Sequence, residues 1–250
     1  MIDFHSHILP GIDDGAQSVE MSLNMLSESY NQGVRTIIAT PHCYINKETQ
    51  FEKYNAGRLQ SFKRLKEAIE NNPGNYPQIK LGCELRVMDE ITDAKVLKPL
   101  CIENTNYILV EMPYKKWSMS HYDFLYALLL NGMRPVMAHI ERFRAYKNEF
   151  GNLFSLDLLY QVNADAFISN AMKRFMPYLF EHGAAQVIGS DMHNVTSRTS
   201  HMKEAQKAVA RGYGQARWDY MQDNAGLILE NKQIEPVAFP KMGFLEKLKL

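Results

Sequence analysis

The sequence predicts an α/β fold in which seven parallel strands alternate with helices around a closed or nearly closed barrel. Two observations carry that prediction. Short β-branched or apolar runs alternate with longer stretches of helical period, the pattern of repeated βα units. Six of the seven runs lead directly into a histidine or an acidic residue, as expected where the carboxyl ends of parallel strands share one rim. The length, 250 residues, suits one domain spanning 1–250, and no repeat, low-complexity tract or Pro/Gly/Ser-rich linker divides it. An open doubly wound sheet fits the same periodicity, which does not report closure.

Taken in order, strands are expected near 2–5, 36–39, 79–82, 107–110, 136–138, 166–168 and 186–188. A helix starts after Ser18, whose hydroxyl suits an N-cap, and ends at Gly33, which suits the left-handed residue beyond a helix. A second places Phe62, Leu65 and Ile69 on one face and stops at Asn72-Pro73-Gly74. A third covers about 122–130 and is closed by Asn131-Gly132. Two more are expected around 202–210 and 218–230.

With 46% hydrophobic and 22% charged residues, the chain buries a substantial core. Lys+Arg and Asp+Glu are equal at 28 each, so no basic field invites nucleic acid. The N-terminus shows no secretory signal, and no apolar run approaches the roughly 18 residues of a membrane span. Cys43, Cys83 and Cys101 form no paired pattern and suit a reducing compartment, so a cytoplasmic location is expected.

The chemistry lies after the strands. The first runs into His5-Ser6-His7, the second into His42, the third into Glu84 and the fourth into Glu111. The fifth leads to His139 and the last to Asp191-Met192-His193. Side chains at i and i+2 on a strand point the same way, so His-x-His and Asp-x-His can each present two donors to one ion. Each motif alone has a bland reading: a single His139 as a satisfied core histidine, for example. Glu84 and Glu111 resist that reading, because an unpaired carboxylate after an apolar strand is expensive. Imidazole and carboxylate donors without thiolate suit Mn, Zn, Fe or Co, and their number predicts two or three clustered ions. Such a cluster acidifies a bridging water and clamps the oxygens of an in-line displacement.

Asp13 and Asp14 add two carboxylates in the turn Pro10-Gly11-Ile12-Asp13-Asp14-Gly15-Ala16, which serves equally as an acidic cap on the following helix. Arg142 and Arg198, close after His139 and His193, reach the same rim and suit a phosphoryl dianion, although either alone reads as a solvated loop charge. The loop Tyr114-Lys115-Lys116-Trp117 after Glu111 is expected to be solvated and to border that rim. Cysteine-dependent phosphatase chemistry is excluded. It needs an arginine six positions after the cysteine, where Cys43, Cys83 and Cys101 are followed by Thr49, Asp89 and Tyr107. There is no Gly-rich Walker or dinucleotide loop either.

The segments Asp3-Phe4-His5-Ser6-His7 through Gly15, Ala39-Thr40-Pro41-His42, Val110-Glu111-Met112-Pro113, Ala138-His139-Ile140-Glu141-Arg142 and Ser190-Asp191-Met192-His193 occur in order across residues 1 to about 200. Together they resemble the polymerase-and-histidinol-phosphatase (PHP) superfamily. More narrowly, they resemble the manganese-dependent protein-tyrosine phosphatases of capsule and exopolysaccharide systems, the CpsB/CapC/YwqE type. The resemblance implies a PHP-type distorted (β/α)7 TIM-like barrel with a trinuclear Mn site. By analogy His5, His7, Glu84 and Asp191 hold one ion, and Glu84 bridges to a second completed by Glu111 and His139. Asp14, His42 and His193 hold the third, and Arg142 and Arg198 bind phosphate. It further implies phosphotyrosine hydrolysis by direct attack of a metal-bridging hydroxide, with His42 or a metal-bound water available as proton donor. The implied substrate is the tyrosine-phosphorylated tail of a bacterial kinase controlling polysaccharide synthesis. A small-molecule phosphatase of the histidinol-phosphate kind and a non-catalytic metal-binding regulatory module are the alternatives. The apolar and basic segment 239–250 is expected to pack as a terminal helix, with peripheral membrane or partner contact as its second reading.

Overall fold

The computed structural model describes residues 1–45, 47–88 and 93–241, and its strands pair in parallel throughout. They are β1 (Ile2–Ser6), β2 (Thr36–Ala39), β3 (His42–Cys43), β4 (Gln78–Leu81), β5 (Glu84–Arg86), β6 (Tyr107–Glu111), β7 (Arg134–Met137), β8 (Leu159–Asn163) and β9 (Val187–Gly189). One sheet runs β1-β2-β4 and the other β3-β5-β6-β7-β8-β9. The division is local. β2 breaks at Thr40-Pro41 and resumes as β3, and β4 breaks at Gly82-Cys83 and resumes as β5. Pairing continues across both breaks, from Ala39↔Leu81 to His42↔Glu84. Proline has no N–H to give a ladder, so Pro41 suits such an interruption.

Joined this way, the segments make seven strands in sequence order, and the last returns to the first. Ser6 bridges Met192, the Asp191 N–H donates to His5 O at 2.7 Å, and the His7 N–H donates to Met192 O at 2.9 Å. The result is a curled parallel sheet, the distorted α/β barrel that the sequence predicts. Leu109 shares its face of β6 with Glu111, and both Val136 and Val187 join Leu109 in one buried cluster. Ala225 and Ile228 belong to the same cluster and come from the last helix, α8 (Gln215–Leu229). Larger apolar packing surrounds this layer, drawing on α1 (Val19–Asn31), α2 (Phe51–Asn71), α3 (Met119–Leu130) and α7 (Met202–Gly212).

Helix punctuation follows the sequence. The Ser18 hydroxyl accepts from the Met21 N–H at 3.2 Å, while Gly33 and Gly132 take positive φ of 95° and 72° beyond α1 and α3. Further short helices are α4 (Phe150–Phe154), α5 (Ala164–Ile168) and α6 (Met176–Glu181), with 3-10 turns at Ala94–Leu100 and Ile140–Glu149.

Two expectations need correction. The sixth strand is Leu159–Asn163, and 166–168 lies in helix α5. β8 carries buried Gln161 and Asn163, so it lacks the apolar signature of its neighbours, whereas Ala166 and Phe167 bury their apolar side chains from a helix. Trp117 is buried rather than solvated, and its indole N–H donates to Pro113 O at 3.1 Å. The terminal helix expected within 239–250 falls largely outside the described residues. Phe239 is described: its N–H donates to Phe180 O at 2.9 Å and its ring stands edge-on to Phe180 and Tyr220. Among the described residues no helix is long and apolar enough to cross a membrane.

Candidate metal centre

The centre forms where strand ends meet, starting with β1. Its register slips between Asp3 and Ser6. His5 and His7 bring their Nε2 atoms to 3.1 Å from each other in full burial. Close approach of neighbouring backbone requires glycine here. A Cβ on Gly189 would lie 2.5 Å from His5 Cβ, and one on Gly15 would lie 2.1 Å from His7 O.

Each imidazole is oriented from behind. His5 Nδ1 lies 3.1 Å from Gln161 Oε1, which also accepts the His139 N–H at 2.8 Å. His7 Nδ1 lies 2.7 Å from Asp13 Oδ2, and the same oxygen accepts the His42 N–H at 2.9 Å. His193 Nδ1 donates to Asp191 O at 2.9 Å. In all three rings the hydrogen bond places the proton on Nδ1 and leaves the Nε2 lone pair facing the centre, the arrangement a ligating histidine needs.

Glu84 is the hub. Its Oε2 lies 2.8 Å from His42 Nδ1, 3.2 Å from His5 Nε2 and 3.4 Å from His7 Nε2, and its Oε1 lies 2.9 Å from His139 Nε2. Glu111 Oε1 is 3.5 Å from the same His139 nitrogen. Asp191 Oδ1 lies 3.3 Å from His7 Nε2 and 3.6 Å from His5 Nε2. Asp14, 64% exposed at the mouth, places Oδ1 3.4 Å from His42 Nε2 and 3.3 Å from His193 Nε2. His139 and Asp191 adopt left-handed backbone, with φ of 34° and 53°, which turns the chain sharply where these side chains project.

Arg142 and Arg198 converge on Asp191 from the solvent side. Arg142 Nη2 donates to Asp191 Oδ2, and Arg198 Nη2 lies 3.1 Å from both Asp191 oxygens. Both guanidinium side chains remain partly open, at 34% and 39% exposure.

The electrostatics reflect this crowding. Burial alone would raise Glu84, yet His5, His139 and His42 hold its carboxyl well below the ordinary range. Asp191 is likewise held down against burial by His5, His7 and Arg142. Glu111 goes the other way: burial and the neighbouring Glu84 charge push it up to about 7. Burial and proximity to His7 push His193 down to about 4.

The donor set fits metal ions. Glu84 Oε2, His42 Nδ1 and His193 Nε2 are buried and approach neighbouring imidazole or carboxylate atoms at 2.8 to 3.4 Å, yet none makes a well-aligned hydrogen bond. Orphaned acceptors are rare in protein interiors and call for an explanation. Three groups of donors each lie within 4.8 Å of one another: His7, Asp14, His42 and His193; His5, His7 and Glu84; and His42, Glu84 and Glu111.

Two neighbours of the centre carry no role in the sequence reading, and a third acts differently from its reading. Gln161 and Asn163 project from β8, with Gln161 Nε2 donating to Asn163 Oδ1 at 2.8 Å and Asn163 Nδ2 donating to Asp191 Oδ2 at 3.1 Å. Asp13, read as part of an acidic turn, orients His7 and His42 instead. The signal for β8 was present as Gln-x-Asn, the same i, i+2 spacing as His5-x-His7, but uncharged amides carry no metal signature of their own.

Comparison with known proteins identifies the family of the chain. The family described as capsular polysaccharide synthesis, CpsB/CapC, matches residues 1–230. The tyrosine-protein phosphatase CpsB of Streptococcus agalactiae serotype V is 32% identical over 248 residues, covering 94% of this chain and 100% of that protein. The tyrosine-protein phosphatase YwqE of Bacillus subtilis strain 168 is 31% identical over 245 residues, covering 94% and 93%. In structure, the chain superposes on the crystal structures of YwqE from Bacillus subtilis and CpsB from Streptococcus pneumoniae, described as metal-dependent tyrosine phosphatases. That match has a TM-score of 0.76 at 30% identity and covers 97% of this chain and 100% of the other.

Proposed function

This chain belongs to the CpsB/CapC family, and on that premise we propose that it is a metal-dependent tyrosine phosphatase whose catalytic centre is the histidine and carboxylate cluster around Glu84. The observation that carries the reading is the convergence of His5, His7, His42 and His139 on the buried Glu84 carboxylate, next to an Asp191 that meets two partly open arginines. In this proposal His5, His7, Glu84 and Asp191 hold one ion. Glu84, Glu111 and His139 hold a second, and Asp14, His42 and His193 a third. Manganese is the proposed ion, and the same donors without thiolate also accommodate Fe, Co or Zn. When bound, such a cluster lowers the pKa of a coordinated water and neutralises phosphoryl charge.

The protein's own groups do the rest. Arg142 and Arg198 exchange part of their contact with Asp191 for the equatorial phosphoryl oxygens, where planar guanidinium forks bind in two points each. Gln161 and Asp13 hold His5 and His7 in their ligating tautomers. Tyrosine leaves as a phenolate of pKa about 10, so proton donation is a modest requirement. His42 is a ligand in this proposal, with Nε2 toward Asp14 and Nδ1 against Glu84, so solvent at the open mouth beside Asp14 supplies that proton. Water is the nucleophile in this scheme, and Cys43, Cys83 and Cys101, all buried, take no part in it.

The proposed substrate is the phosphotyrosine-bearing tail of a bacterial kinase of polysaccharide synthesis, met in the cytoplasm by one catalytic domain spanning the chain. The test is phosphate release from a phosphotyrosyl peptide by metal-stripped protein, before and after adding Mn, with phosphoseryl peptide and histidinol phosphate in parallel. Restored, tyrosine-selective release is expected. Preference for histidinol phosphate would move the protein to small-molecule metabolism, and no release with any divalent metal would overturn the enzymatic reading.

A further inference from the structure

Two half-exposed tyrosines overlie the centre on either side of Glu84. Tyr44, 51% exposed, stacks on His42 with centroids 4.7 Å apart and planes at 22°. Tyr114, 54% exposed, lies parallel to His139 at 6.3 Å and to Phe143 at 5.0 Å. His42 and His139 approach different oxygens of Glu84, so the two tyrosines flank the hub from two directions. Both are held in place. Phe143, which backs Tyr114, is fully buried and meets the ring of buried Trp117 edge-on at 5.5 Å. The Arg86 guanidinium lies over the Tyr44 ring at 5.5 Å.

We propose that Tyr44 and Tyr114 are specificity-determining residues, aromatic walls that grip the phenyl ring of the substrate and select aryl over alkyl phosphomonoesters. The inference rests on the phosphatase reading above and adds what distinguishes tyrosine. In phosphotyrosine the ring begins one ester oxygen away from phosphorus. With phosphate held over the ligand cluster by the ions it would bind and by the two arginines, that ring must occupy the layer immediately outside them. The imidazoles His42 and His139 already carry one aromatic ring each in that layer, both partly solvated, so a third ring finds faces and edges to pack on. A phosphoserine places flexible backbone there and gains none of that contact. Offset or edge-on aromatic pairs are favoured beyond simple burial, and each wall is expected to contribute about three- to tenfold in affinity.

The experiment uses metal-loaded protein and two non-hydrolysable probes, benzylphosphonate and methylphosphonate, titrated by calorimetry. Wild type is compared with Y44A, Y114A, Y44F and Y114F, and metal content is measured in each. The benzyl-to-methyl affinity ratio is expected to fall about three- to tenfold in each alanine variant and to persist in each phenylalanine variant. An unchanged ratio in both alanine variants overturns the proposal, as does an equal loss in the phenylalanine variants, which would assign the effect to the hydroxyls. Hydrolysis of phosphotyrosyl peptide by wild type is scored separately. Its absence would defeat the phosphatase reading, whereas its presence with an unchanged ratio would defeat the aromatic walls alone.

Discussion

Gln161 joins two of the proposed ligands through one oxygen. Its oxygen faces His5 Nδ1 at 3.1 Å and the His139 N–H at 2.8 Å, and its amide N–H donates to Asn163 Oδ1. Replacing it with leucine strands two buried donors, and each such loss costs about 1–3 kcal/mol. Gln161→Leu is therefore expected to lower thermal stability and to weaken metal binding by roughly 10- to 100-fold, the range seen when a group supporting a ligand is removed. Chelator competition measures the second effect, and unchanged affinity would show that His5 is oriented without Gln161. Arg142→Ala should behave differently. Its guanidinium is offered to the phosphoryl group, so turnover should fall by about 10²-fold while bound metal persists. Loss of metal in that variant would make Arg142 a support for Asp191 rather than a phosphate ligand. At this scale the sequence was informative wherever charge or imidazole marked the position. It was silent on Gln161 and Asn163, because neutral amides acquire meaning only from the atoms they meet.

Strand ends explain both what was legible and what was not. Runs such as Ile37-Ile38-Ala39 and Ile108-Leu109-Val110 are buried on both faces, as parallel strands are, so their apolar character survives in sequence. β8 fails that test because its polar positions Gln161 and Asn163 face the centre. The apolar content of the following helix drew the strand assignment forward by several residues. The breaks between β2 and β3 and between β4 and β5 were equally invisible, since each half reads as part of one run or as a loop. They matter for placement, because His42 and Glu84 sit at the start of the resumed strands and pair directly in register. The contact between β1 and β9 is tight as well. A Cβ added at Gly189 would meet His5 N at 2.7 Å as well as its side chain. Backbone cannot yield as a flexible side chain can, so Gly189→Ala should lower stability by about 1–3 kcal/mol or more and displace His5. Thermal melting in chelator reads the first effect free of metal, and an unchanged midpoint would show that β1 and β9 can separate without penalty.

Over the whole molecule, the buried acids make stability depend on pH, and Glu141 offers a separable case. It lies in the turn after His139, fully enclosed, with Oε2 accepting the Asn163 N–H at 3.3 Å. Burial, only partly offset by Arg142, pushes its carboxyl up to about 8 from an ordinary value of 4.5. The folded protein therefore carries a proton on Glu141 at neutral pH that the unfolded chain has released. The sign follows directly: between about 4.5 and 8 the native state binds more protons, so stability from this group is complete below 4.5 and declines as pH rises through 8. The slope is at most about 1.4 kcal/mol per pH unit for one proton. Glutamine keeps the acceptor for Asn163 and cannot ionise. The difference in unfolding free energy between wild type and Glu141→Gln should thus shift steadily in favour of the variant as pH rises from 5 to about 8. Subtracting the two proteins cancels the other titrating groups, and denaturant unfolding across that range, in chelator and again with Mn, measures the difference. A flat difference in chelator would mean that Glu141 stays ionised in the folded barrel. A slope in chelator that vanishes with Mn would mean that ion binding resets the field around His139.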